Sequence, residues 1–182
     1  MTRSVLEGRA LAEDVAQLLA RTPRILRSMV GDQSRDALDR RPGENVWSQT
    51  EILAHLADFE VICFQVRVEH ILRGEPFPSL NPDQRAADVP YAAIEPLTSL
   101  HVFGRERERN LGRIRQLTPD QLACRARHSE LGEVTLGHLL AEWAIHDLSH
   151  IRQLVLVGAQ TFLPELGPWR PAYQHLELRA KA

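Results

Sequence analysis

The chain has 182 residues, a formal net charge of −2, 43% hydrophobic residues and 25% charged residues. That length and apolar content suit one domain with a buried core, and the acidic balance excludes the basic footprint of a nucleic-acid binder. No apolar run reaches the ~18 residues of a membrane span, the first ten residues lack the apolar heart of a signal peptide, and Cys63 and Cys124 are too few and too far apart for a disulfide framework.

The expected setting is therefore the cytoplasm, with no membrane partner and Cys63 as a buried, reduced thiol. A single domain over residues 1–182 is expected, with a helical core at about 11–157 and an irregular C-terminal segment at 158–182. Leu11 to Val30 carries apolar residues at helical spacing and reads as a first helix. Pro23 interrupts it. Thr22-Pro23 can restart the helix as a cap with Pro in the first turn, or Pro23 can sit inside and kink it. A polar stretch follows, with a turn at Arg41-Pro42-Gly43.

The second helix has the clearest start. Ser48-Gln49-Thr50-Glu51 fits a capping box, and Trp47 and Ile52 are spaced as a hydrophobic staple. The helix runs to about Leu72, and Gly74 ends it. Glu75 to Pro90 contains four prolines and reads as a long loop, a length that often serves function in compact domains.

A third helix begins between Tyr91 and Pro96 and continues to about Leu117. Its centre, Arg105-Glu106-Arg107-Glu108-Arg109, alternates in sign and reads as a solvated face. Thr118-Pro119-Asp120-Gln121 is a second capping-box pattern, opening a short helical turn. Ala126 to Glu133 could be extended, but one short segment cannot make a sheet. Thr135 caps a fourth helix that Gly158 closes. Helices with apolar stripes and no sheet imply an all-α fold, a four-helix bundle with long inter-helix connections.

The fourth helix carries the chemistry. Glu142, His146 and His150 recur every four residues and share a face, each step drifting about 40° around the axis. Two imidazoles at i and i+4 can grip one divalent metal from a single rigid element. On the second helix, His55 stands between Glu51 and Asp58 on one side. Three histidines on two helices, with positions left open, describe a catalytic rather than a closed structural metal site. Asp58 is the candidate for orienting an imidazole or taking a proton, and Glu142 for a fourth ligand, a ring-orienting partner, a proton-transfer group or a plain surface acid. Asp147 points away and suits an ion pair outside the site. A histidine on a buried helix face is more often a hydrogen-bonded core residue, so spacing alone does not decide. His70, His101, His128 and His175 show no comparable grouping. No nucleophile elbow, P-loop or dinucleotide fingerprint competes.

These residues resemble the DinB/YfiT-like family. The likeness lies in Arg41-Pro42-Gly43 leading into Trp47-Ser48, in Glu51 and His55-Leu56-Ala57-Asp58, and in Leu136 to Gln153 centred on His146-Asp147-Leu148-Ser149-His150. The resemblance implies a four-helix bundle with a three-histidine metal site, here His55, His146 and His150. It implies zinc, nickel or iron as the divalent metal, a small-molecule substrate and a homodimer. It also implies either hydrolysis or transfer chemistry with a low-molecular-weight thiol as cosubstrate. The other reading is a non-catalytic, stress-related binding or dimerisation bundle whose histidines are structural or a relic. That reading expects a closed, dry bundle beside His55.

Overall fold

The computed structural model describes residues 3–178. Four helical rods form the bundle: α1 (Arg3–Val30), the rod α3 (Gln49–Phe59) continuing through a π-helical stretch (Glu60–Gln65) into α4 (Val66–Arg73), α6 (Pro96–Ile114) and α8 (Leu136–Ala159). Short pieces join them: α2 (Arg35–Asp39), α5 (Pro82–Asp88), α7 (Pro119–Leu122) and a hairpin of β1 (Arg125–His128) and β2 (Gly132–Thr135). Among the described residues no helix is long and apolar enough to cross a membrane.

The caps form where the sequence places them. Ser48 and Glu51 close a full capping box, as do Thr118 with Gln121 and Thr135 with His138. Each satisfies two amides that a helix start leaves orphaned. Gly74 ends α4 in the left-handed region at φ 68°, where a Cβ would be strained.

The rods pack in a ring in which α1 touches α6 and α8, and α3 touches the same two. One apolar cluster takes the first half of α1, the later half of the α3–α4 rod, the end of α6 and the start of α8. A second takes the opposite halves. Hence α1 and α8 run parallel, and the other two rods run parallel to each other and against them. Two consecutive parallel rods require a connection that returns along the bundle, which is why residues 74–95 are so many.

That connection is not only loop. Asn81 caps α5 through its side chain, accepting from Asp83 and Gln84, and Pro82 sits at the first turn. A proline there loses no helical hydrogen bond. The segment expected to be extended pairs with itself: Arg125 faces Thr135 and His128 faces Gly132 in an antiparallel hairpin, and Phe77 adds one parallel bridge to His128. The C-terminal residues Leu163–Leu176 wind as 3-10 turns broken at Gly167.

α1 begins at Arg3, earlier than the apolar stripe suggests, and keeps Pro23 inside. Pro23 has no N–H to give the Leu19 carbonyl, and a buried carbonyl without a donor is costly. Arg107 supplies the donor, its Nη1 lying 3.0 Å from that oxygen. Here the expectation of a solvated charge run fails. Arg107 is 1% exposed and sits at mid-bundle between the two apolar clusters. It donates to both Glu60 oxygens at 2.7 and 2.9 Å and to both Asp147 oxygens at 2.6 and 2.9 Å. Asn110 and Trp143 donate to Glu60 as well. Burial opposes the Arg107 charge, but the Asp147 and Glu60 carboxylates outweigh it and raise its pKa. This layer ties all four rods together.

Candidate metal centre

The rod α3–α4 and helix α8 present facing rows of side chains. His55, Phe59, Cys63 and Arg67 stand four apart on one, Glu142, His146 and His150 on the other, and all seven line one cavity of about 820 Å³. Four residues overshoot a regular 3.6-residue turn but fall short of the wider i→i+5 π turn. The π stretch at Glu60–Gln65 thus turns the drifting row back toward the cavity. Asn110 donates to the Glu60 carbonyl within that stretch.

His55, His146 and His150 meet. Each offers a ring nitrogen, and the three lie within 4.8 Å of one another. The Nε2 atoms of His55 and His146 are 3.3 Å apart. Two nitrogens each about 2.0–2.1 Å from one tetrahedral zinc stand about 3.3 Å apart. His150 Nδ1 donates to Gln153 Oε1 at 2.8 Å, which fixes the tautomer whose Nε2 lone pair is free to bind a metal. The donor set therefore fits a divalent ion.

Aromatic rings fix the imidazoles in place. Trp47 lies 5.0 Å from His55 and Phe59 4.0 Å, and Phe64 meets His146 edge-on at 5.1 Å. Burial lowers the His55 pKa to about 3 and the His146 pKa to about 2, the neighbouring imidazoles adding to the effect. Burial also lowers that of His150, against its Gln153 hydrogen bond. All three rings are neutral at pH 7, the form that binds metal.

A pH dependence follows for the metal-free protein. Unfolded, each ring takes up a proton near pH 6.5; folded, His55 does so only near 3 and His146 near 2. Stability is full above pH 6.5 and falls as the pH drops through this window, by about 1.4 kcal/mol per pH unit for each ring. Glu142, raised chiefly by burial, opposes part of the loss. Urea unfolding is expected to show a fall of about 2–4 kcal/mol between pH 7 and 5. A flat profile would mean that the rings titrate as free histidines.

The carboxylates divide. Glu142 opens onto the cavity with its pKa raised by burial and by Asp147, against Arg67. Asp58 orients no imidazole. Its oxygens accept from Arg85 Nε at 2.7 Å, Arg85 Nη2 at 2.9 Å and the Tyr91 hydroxyl at 2.7 Å. Burial would raise its pKa, but these donors hold it below the ordinary range. Asp58 anchors the α5 connection to α3 beside the site. Asp147 turns away into the Arg107 layer, and Glu51 is taken by its cap and by Arg41. Burial pushes the Cys63 thiol up to about 12, so it forms neutral cavity wall.

Sequence reading missed Arg67 and the contribution of His128, although the four-residue spacing from His55 through Arg67 was visible. The DinB superfamily model matches residues 18–154 of the chain. The structure is similar to YfiT from Bacillus subtilis, with a TM-score of 0.75 and 20% identity over 82% of this chain and 87% of that one. YfiT is described as a probable metal-dependent hydrolase with an unusual four-helix bundle topology. No curated protein matches the chain in sequence.

Proposed function

We propose that this chain, which belongs to the DinB superfamily, is a metal-dependent enzyme acting on a small molecule. The observation that carries the reading is the convergence of the His55, His146 and His150 nitrogens beside an open cavity. A divalent ion held by these rings, whether zinc, nickel or iron, supplies Lewis acidity that brings a neighbouring water or low-molecular-weight thiol toward ionisation at neutral pH.

The chain's own groups do the rest. Gln153 keeps the His150 proton on Nδ1, and Trp47 and Phe59 keep the His55 ring from turning. Glu142, with its raised pKa, holds or releases a proton at its carboxyl oxygens on the cavity side. The reaction class is hydrolysis or thiol S-transfer. The non-catalytic reading expects a dry, closed bundle at His55, and a cavity of about 820 Å³ lined by convergent polar groups weighs against it.

The test is elemental analysis of protein purified without a polyhistidine tag. About one divalent ion per chain is expected, and the double substitution His146→Ala, His150→Ala should remove it. Metal content unchanged by the double substitution would overturn the assignment.

A further inference from the structure

Arg67 is the cation in the cavity wall that the metal reading leaves unused. Three other arginines set into the fold have carboxylates: Arg41 has Glu51, Arg85 has Asp58 and Arg107 has Glu60 and Asp147. Among the described residues Arg67 has no carboxylate within 4.0 Å and no hydrogen-bond acceptor, and its Nε is buried with nothing to donate to. A buried donor left unmade is unfavourable and calls for a partner. The guanidinium lies over the Phe77 ring, 5.7 Å from its centroid. A guanidinium on an aromatic face keeps its donors directed outward in plane, the geometry that receives an oxyanion by two parallel hydrogen bonds.

His128 stands beside it. Phe77 meets the His128 ring edge-on at 5.3 Å, and His128 lines the same cavity. Its Nδ1 accepts the backbone N–H groups of Glu130 at 3.1 Å and Leu131 at 3.2 Å. The neutral ring must then carry its proton on Nε2, as a donor. The β1–β2 hairpin therefore adds a ring N–H donor to the residues that line the cavity together with Arg67.

We infer that Arg67 and the Nε2–H of His128 bind an oxyanion, carboxylate or phosphate, on the small molecule whose reacting end faces the three histidines. This deepens the proposed function and rests on it for the word substrate, but the binding itself does not need the metal. Two carboxylates stand near enough to compete: Glu142, which shares the cavity and feels the Arg67 charge, and Glu130, which shares the cavity and lies beside His128, and neither pairs with Arg67.

The experiment separates the two claims by using the His146→Ala, His150→Ala chain in the presence of a chelator, so that no ion can hold the anion. Inorganic phosphate and acetate are titrated separately while the His128 ring signals are followed by NMR on histidine-labelled protein. Saturable shifts are expected with at least one of the two, and the tighter one names the class. Arg67→Met should weaken that binding at least tenfold, and Arg67→Lys, which keeps the charge and loses the fork, should fall between. Equal affinity in both Arg67 variants and their parent, or no saturable shift with either anion, overturns the inference while leaving the metal assignment standing. Metal content unchanged by the double substitution, with the anion titration intact, overturns only the metal assignment.

Discussion

Arg107→Met is expected to lower the stability of the folded chain by about 3–5 kcal/mol, read as a drop in the urea midpoint at pH 7. The side chain it removes is 1% exposed and holds two carboxylates that are no more exposed than itself. Met fills most of the volume, so the cost is not a cavity. It comes from leaving Glu60 and Asp147 buried without their cation, and the Leu19 carbonyl without a donor where Pro23 cannot provide one. Removing one member of a buried ionic group is strongly destabilising, whereas replacing the whole group by apolar residues can be nearly neutral. The triple change Glu60→Leu, Arg107→Met, Asp147→Leu should therefore recover a large part of the loss. Strong non-additivity of this kind identifies a coupled network. If Arg107→Met costs no more than about 0.5 kcal/mol, the range of ordinary surface changes, the layer is not what ties the rods together.

The same residue shows where sequence reading stops. Capping boxes, the Gly74 terminator and the i, i+4 histidines are local signals, and each depends on neighbours within a turn. Arg107 depends on partners 47 and 40 residues away, and nothing in Arg105 to Arg109 names them. One signal was available: Leu100, Phe103, Leu111 and Ile114 form the buried stripe of α6, and position 107 falls in the middle of it. A charge on an apolar stripe is a better guide to burial than the alternation of signs around it. The hairpin was hidden for a related reason, because its second strand, Gly132–Thr135, begins inside the segment read as one extended piece and ends at the residue read as a helix cap. In α5, Asn81-Pro82 is a sound helix start masked by the density of prolines around it. The direction of the rods was not legible at all. It emerges from which halves share a cluster, a property of packing rather than of any one segment. His55 joining His146 is equally non-local, and only the combination of short matches, each weak alone, pointed to it.

His55→Ala is the second substitution expected to have a large effect, and its measure is a difference. In the wild-type chain, zinc at a hundred times its dissociation constant should raise the unfolding free energy by about 2.7 kcal/mol, and a chelator should return it. Loss of one of three ligands should weaken binding by more than the 10–100-fold typical of losing an outer partner. At the same zinc concentration a hundredfold loss leaves an increment of only about 0.4 kcal/mol. Gln153→Ala, which frees the His150 ring without removing a ligand, should give an intermediate increment. Absolute stability cannot decide the matter. His55 is packed between Trp47 and Phe59, so truncation there destabilises whether the ring binds metal or merely fills space. The increment on adding zinc removes that background, because the packing loss is common to both arms. An undiminished increment in His55→Ala would show that α8 holds the ion without α3, and the convergence of the three rings would then be packing alone.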